Sequence, residues 1–382
     1  MNKKLVAVAV AGLLAAPLAA QAQTANVTLY GRLNMTLEAV RGEAVDPNLP
    51  AGSAAQNRTV YRVSSNSSRL GVRGSESLGG GLSAIFQIES NVSADTGGGL
   101  LGTRETFVGL QGAWGTVKVG HFLAPYDDLH PIFGNVPTLT TSILSTANLW
   151  AQGSQSVNNG GFDARLGNSL RYDSPRIRGF AGSVQISELD ASAGQGGFAF
   201  GDNAQEKRHA YILSTGGFYA NGPVSVGLGY ESHNKVRGPG LDDQALSIAG
   251  SWNFGVVKVG GVYERLDYDT PSGSLKRNFW LASVTAPIGP GELYAFYAHA
   301  ADGKGGAANG TRIGQLAKGG DTGAQQWSVS YTYALSKRTL TYVGFVQTRN
   351  EDNANYNFAI NPYTVVNGSN VSGLVTGLVH FF

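Results

Sequence analysis

The chain has no cysteine in its 382 residues, so neither a disulfide framework nor a thiolate metal site is available to it. Charge is also scarce: 14% of the residues are Asp, Glu, Lys or Arg, against about 25% in an ordinary soluble domain. No apolar run reaches the roughly 18 residues that a membrane-crossing helix needs, which excludes a helical bundle in lipid. The six histidines, at 121, 130, 209, 233, 299 and 380, form no His-x-x-x-His pair, so a helical zinc site is not expected. There is no Gly-x-Ser-x-Gly elbow. Gly97-Gly98-Gly99-Leu100-Leu101-Gly102 matches the spacing of a dinucleotide fingerprint, but that motif works only inside a βαβ unit, and here it sits in a loop. The expectation is a protein that is not an enzyme and carries no metal and no cofactor.

Lys3 and Lys4 precede an apolar run, Leu5 to Ala20, which closes on the small-x-small pattern Ala20-Gln21-Ala22. This reads as a secretory signal peptide over residues 1–22, cut after Ala22. The run contains Gly12 and Pro17 and falls short of the roughly 20 apolar residues of a bilayer span. Removing the leader takes away two of the 28 basic residues and none of the 26 acids, leaving residues 23–382 with equal numbers of each. Nothing in that balance calls for a nucleic-acid partner, which would leave a basic stripe.

Glycine is abundant, with 54 residues, about twice the usual share. It punctuates segments of about ten residues in which apolar and polar side chains alternate, the pattern of strands with one face in lipid and the other in water. From Val27 to Glu38, Val27, Leu29, Leu33, Met35 and Leu37 share one parity, and Thr28, Tyr30, Arg32, Asn34, Thr36 and Glu38 the other. Similar units recur at 80–92 and at 242–267, where Leu246, Ile248 and Trp252 are followed by Val257, Val259 and Val262. Sixteen such strands can be placed between 26–40 and 371–382, among them 58–75, 103–112, 165–174 and 207–219. Short turns at Gly79-Gly80-Gly81, Gly112-Ala113, Asn221-Gly222-Pro223, Gly289-Pro290-Gly291 and Ser336-Lys337 alternate with longer polar loops. The fold class is therefore all-β: a 16-stranded antiparallel transmembrane β-barrel, closed because lipid tolerates no unpaired strand edge. Sixteen Tyr, sixteen Phe and five Trp fit aromatic girdles at the two interfaces.

The longest interval without strand character, about 124–164, is rich in Asn, Thr, Ser and Gly. Loops of that length are usually functional, and a barrel of this size would otherwise enclose a wide aqueous channel. A constriction loop folded into the lumen is expected. Asp127 and Asp128 at its start are the acids singled out in it. Alternation turns Arg69 and Arg73 inward, opposite Leu70 and Val72, and turns Arg165 inward if Leu166 and Leu170 face lipid. Arg32 and Lys118 follow the same logic. Basic rings in pores favour anions, so a mild anion preference is expected, muted where these cations pair with Glu38, Glu76 or Glu89.

Several ordered stretches resemble one family: Val27-Thr28-Leu29-Tyr30-Gly31, then Ser68-Arg69-Leu70-Gly71-Val72-Arg73-Gly74-Ser75-Glu76-Ser77-Leu78-Gly79-Gly80-Gly81-Leu82. Phe107-Val108-Gly109-Leu110 leads to Trp114-Gly115-Thr116-Val117-Lys118-Val119-Gly120, and Asn168-Ser169-Leu170-Arg171-Tyr172-Asp173-Ser174-Pro175, Leu335-Ser336-Lys337-Arg338-Thr339 and Leu378-Val379-His380-Phe381-Phe382 follow. Over the whole mature chain this is similar to the general Gram-negative porins of β-proteobacteria. The resemblance implies an outer-membrane homotrimer among lipids and lipopolysaccharide, passing small hydrophilic solutes and ions by passive diffusion. It implies a third loop forming the constriction, facing an arginine cluster matched by Arg69, Arg165 and Arg104. Strict alternation would put Arg104 on the side of Val108 and Leu110 unless a bulge intervenes. Phe382 resembles the terminal assembly signal read by the barrel-assembly machinery. His121 departs from the family pattern, which commonly has Gly-Arg before the third loop. The rivals are an outer-membrane barrel enzyme, which would need a catalytic group at the rim, and a ligand-binding channel or adhesin.

Overall fold

The computed structural model describes residues 26–43, 58–139, 142–152, 156–189, 210–363 and 365–382; the expected signal peptide lies outside them. Strands run in order β1 (Asn26–Gly42), β2 (Arg58–Ser65), β3 (Arg69–Gly79), β4 (Leu82–Asn91), β5 (Thr106–Gly112), β6 (Gly115–Leu123), β7 (Arg165–Asp173), β8 (Phe180–Leu189), β9 (Ala210–Asn221) and β10 (Val224–Asn234). They continue as β11 (Asp243–Asn253), β12 (Lys258–Thr270), β13 (Gly273–Ile288), β14 (Gly291–Ala300), a small hairpin β15 (Arg312–Ile313) and β16 (Leu316–Ala317), then β17 (Ala324–Ala334), β18 (Thr339–Asn350) and β19 (Val371–Phe381). Each wall strand pairs antiparallel with its neighbours, and β1 closes the cylinder by pairing with β19, Arg32 opposite Phe381 and Gly42 opposite Val371.

Seventeen strands form the sheet, but β2 and β3 both pair with β1, β2 along Met35–Gly42 and β3 along Asn26–Arg32. They are one wall strand interrupted at Asn66-Ser67-Ser68, where Ser67 takes a positive φ of 51°. The wall therefore has the expected sixteen strands. The interruption is polar and buried: Asn34 N donates to Ser68 Oγ at 3.0 Å, and Asn66 Nδ2 to Thr36 Oγ1 at 2.7 Å. Side chains thus supply hydrogen bonds where the backbone ladder pauses.

The lipid-facing parity of β1 is as the sequence indicates. Leu29 and Leu37 are about 60% exposed on the outside, whereas Arg32, Asn34, Thr36 and Glu38 are buried inside. The seam is finished by Phe382, whose N–H donates to Gly31 O (3.2 Å) and whose carbonyl accepts from Gly31 N (3.0 Å). Only a glycine fits there, because a Cβ on Gly31 would lie 2.3 Å from the Phe382 ring. The five short turns are where expected, joining β3–β4, β5–β6, β9–β10, β13–β14 and β17–β18.

Three readings of the sequence need correction. The segment placed at 103–112 becomes regular only at Thr106, because residues 101–105 form a turn that carries Arg104 inward. Val262 is buried inside the barrel, not in lipid; alternation along β12 puts it on the inner face with Leu266 and Tyr268. The alternation of short and long connections fails between β12 and β13, which are joined at Thr270–Gly273 by a tight turn. There the strands run on as a hairpin that supports Lys304 and Ala307 of the next loop, with Lys276 and Lys304 exchanging backbone bonds at 2.7 and 2.9 Å.

Candidate functional site

The described residues between β6 and β7 fold into the lumen. This loop turns through Asp127–Leu129 and one helical turn at His130–Phe133, crosses the barrel, and returns through short turns at Thr146–Asn148, Trp150–Gln152 and Val157–Asn159. Its seat is an apolar sector of the inner wall. Tyr126, Leu129, Phe133, Trp150 and Phe162 pack on Ala245 and Ala249 of β11, Val262, Leu266 and Tyr268 of β12, Leu275, Phe279 and Leu281 of β13, and Tyr294 and Phe296 of β14. Trp150 stacks flat on Tyr126, with ring centres 5.5 Å apart and planes 5° from parallel. At the far side Ile143 and Leu144 reach Val40, Tyr342, Val346 and Val375 of the closing strands. Each large apolar side chain buried this way contributes about 1.5–3 kcal/mol.

Polar clamps fix the loop's backbone, which would otherwise leave unsatisfied groups in the interior. Glu264 and Arg277, both fully buried, pair at 2.7 Å. Arg277 also donates to Leu149 O (2.7 Å), while Glu264 accepts from Ala151 N (2.7 Å) and the Tyr126 hydroxyl (3.0 Å). The Ser283 and Tyr294 hydroxyls both donate to Phe133 O, at 2.9 and 2.5 Å.

What the loop leaves open is a cavity of about 800 Å³ against the opposite wall, lined by Arg32, Arg69, Arg73, Arg104 and Arg165 and by Glu89, Glu105, Asp127, Asp128 and Asp163. The arginines come from β1, β3, the turn before β5 and the first residue of β7. Arg104 points into the lumen; being off the strand, it is not bound by alternation. It pairs with Glu89 at 2.5 Å and donates to Asn91 Oδ1 at 3.1 Å. Glu89 is shared with Arg69 at 3.6 Å and accepts from Tyr30 OH at 3.0 Å. Arg73 lies over the Tyr30 ring, 4.9 Å from its centre. Arg32 donates to Ser67 O at 3.0 Å, and its Nε has no hydrogen-bond partner among the described residues. Arg165 faces Glu105 at 3.4 Å.

Arg165 reaches the cavity, but not for the reason of alternation. Leu166 is buried inside the barrel against Ala124, Val157 and Ile212 instead of facing lipid. A bulge reverses the parity: Gly120 faces Ser169 and Phe122 faces Leu166, with an extra residue on β7 near Asn168, whose φ is 49°. Lys118 also departs from expectation. It faces inward but is not among the cavity-lining residues; it lies over the rings of Phe107 and Phe122, at 5.1 and 4.9 Å, and pairs with Asp173 at 3.6 Å. His121 hydrogen-bonds the carbonyl of Arg104 at 3.1 Å and so braces that arginine from behind.

The sequence did not single out several inward charged residues: Glu105 beside Arg165, the buried Glu264 and Arg277, and also Arg171 and Asp163. Arg171 ties Asp128 to the wall, pairing with it and with Asp173 (2.8 Å) and donating to Leu123 O (3.0 Å). Strict alternation opposite exposed Leu170 and Tyr172 was a sufficient signal. Asp163, near the loop's end, is a third acid beside Asp127 and Asp128; the fold brings it to Asp127. Burial, then the charge of Asp163, pushes the Asp127 carboxyl well above the usual range, and burial raises Asp163 as well. Burial raises Asp128 to about 6 despite Arg171. His130 is driven down to about 3 by burial; its ring is neutral, so its 3.9 Å approach to Asp127 is no ion pair.

Comparison with known proteins agrees with this architecture. The family model described as Gram-negative porin matches residues 7–353. Outer membrane porin protein 32 of Delftia acidovorans is 29% identical over 400 residues, covering all of both chains. An outer membrane porin protein of Bordetella pertussis is 30% identical over 376 residues, covering 85% of this chain and 89% of the relative. Among solved structures, an anion-selective porin from Comamonas acidovorans superimposes with a TM-score of 0.70 at 26% identity, covering 94% of this chain and 100% of the other. With a closed sixteen-stranded wall, an infolded third loop and that family match over most of its length, the chain belongs to the Gram-negative porin family, outer-membrane channels for passive diffusion.

Proposed function

We propose that this channel prefers anions and that the arginines of the inner wall set the preference at the constriction. The observation that carries the reading is the one-sided lining: Arg32, Arg69, Arg73, Arg104 and Arg165 converge on a single cavity. Their counter-charge is weaker than the count of acids suggests. Glu89 serves both Arg69 and Arg104, Asp128 is engaged by Arg171, and Asp127 and Asp163 are held toward their protonated forms. Arg32 keeps an Nε without an acceptor among the described residues. A basic lining lowers the barrier for anions relative to cations without binding either tightly. The similarity to an anion-selective porin supports the same reading.

The remaining expectations complete the proposal. Residues 1–22 direct export and are removed after Ala22, Phe382 serves as the assembly signal, and the barrel works as a homotrimer. Lipopolysaccharide surrounds its outer rim. A native-size measurement in mild detergent that returned a monomer would sink the trimer, and N-terminal sequencing of the membrane-inserted protein tests the cut.

The selectivity test is the reversal potential of purified protein in a planar bilayer under a potassium chloride gradient. The expected result is ohmic unit steps with a potential of the anion-selective sign, reduced by Arg69→Ala and by Arg165→Ala. Cation-selective steps, or variants indistinguishable from the parent, would reject the arginine account while leaving the channel itself intact.

A further inference from the structure

We infer that Asp127 and Asp163 share one proton across the two ends of the loop and count as a single negative charge, which tunes the anion-to-cation ratio of the constriction. This deepens the anion-selective reading above and rests on it. The loop leaves the wall at Leu123 and rejoins it at Arg165, which are register partners across β6 and β7, so its first and last turns are side by side. Asp127 is fixed by its N–H donating to Ala124 O (3.0 Å), and the return strand by Phe162 N donating to Ala151 O (3.0 Å). The two carboxyls come together there, each acting on the other's charge, and both line the arginine-bearing cavity.

Among the described residues no donor reaches the inner oxygens: Asp127 Oδ1 and Asp163 Oδ2 are buried without a hydrogen-bond partner. A buried carboxylate without a donor is costly, and two carboxylates in contact cannot both ionise cheaply. One proton between them satisfies both oxygens and halves the charge. The neighbours do not remove the need for it. Arg165 from β7 is the cation nearest in charge effect, but it also faces Glu105; Glu231 of β10 adds negative charge beside Asp163, and Asp128 on the same turn is taken by Arg171. His130, one turn on, is neutral. The five lining arginines then face Glu89, Glu105, Asp128 and one further charge instead of two, and a positive excess survives.

The experiment compares three variants with the parent at neutral pH, again by reversal potential. Asp127→Asn and Asp163→Asn each replace the shared proton by an amide donor and leave one carboxylate, so both should give the parent's permeability ratio. The double variant removes the remaining charge and should raise the chloride-to-potassium ratio about twofold, the effect of one unit charge roughly 8 Å away through water. If each single variant already raises the ratio, both carboxylates are ionised in the parent and the shared proton is wrong. If the double variant changes nothing, the pair is uncharged or remote from the ion path, and the inference is equally overturned. The singles check each other for folding, since both reach the same charge by different substitutions. A parent that proved cation-selective would discard the anion reading, yet the same grouping of singles against double would still decide the shared proton.

Discussion

The two sides of this lumen are built by opposite rules. Along β11–β14 the inner face carries Ala, Val, Leu, Phe and Tyr around the buried Glu264–Arg277 pair and is sealed by the loop it seats. Along β1–β7 the inner face carries arginines and glutamates and stays open to the cavity. One wall behaves as half of a protein core and the other as half of an electrolyte channel. The contrast teaches that a porin's inward parity is not uniformly polar: wherever a loop is to be fastened, the wall must supply hydrophobic surface, because hydrogen bonds to water are available to the loop in either state and contribute little net attachment. The open wall holds the loop only at its margins, through Arg171 on Asp128 and Val40 on Ile143 and Leu144, and the seat contributes little to selecting ions.

That division can be broken most forcefully at the clamp. Arg277→Ala leaves Glu264 buried without its cation, a loss of about 3–5 kcal/mol. The loop should release, with larger and noisier unit conductance and a lowered unfolding temperature of the heat-denatured barrel; an unchanged conductance would mean the loop is held elsewhere. Leu129→Ala, in the same seat, costs about 2–5 kcal/mol through the cavity it leaves. It should widen the distribution of single-channel conductances without moving the reversal potential, and a selectivity change would blur the two walls into one.

On the open wall the expected effects are electrical. Glu89→Gln frees Arg69 and Arg104 from their shared counter-charge and should raise the chloride-to-potassium ratio about twofold, with unit conductance nearly unaltered. A fall in that ratio would show that Glu89 instead holds the arginines in their working positions. The smallest effect concerns pH. Burial lifts Asp128 to about 6, so its proton is absent at pH 7 and taken up as the pH falls through that value. Negative charge is lost on acidification, and anion preference should rise slightly toward about pH 5, the effect staying small because the permanently charged Arg171 remains paired with Asp173. Asp128→Asn should flatten that rise, and a preference that drops on acidification would contradict the assignment.

Much of this was legible in the residues. The period-two pattern of β1, the turn glycines and the balanced charge determine a closed barrel, because lipid outside and water inside demand opposite side chains at every step. The same rule correctly turned Arg69 and Arg73 inward and could have found Arg171. It failed where the backbone stopped alternating: the bulge near Asn168 reversed Leu166, and the turn at residues 101–105 freed Arg104 from any parity. It also failed where an inward position is apolar, as at Val262, since an inner face was read as an aqueous one.

By itself, then, the sequence determined the strand count, the lipid face, the closing seam at Phe382 and the existence of the long loop, all of which follow from local periodicity. Tertiary structure alone decided which wall the loop occupies, that Glu264 and Arg277 clamp it, that Glu89 is divided between two arginines, and that Asp127 meets Asp163 across the loop's ends. These are contacts between residues far apart in the chain. No local pattern encodes them, because they depend on which surfaces come together once the cylinder has closed.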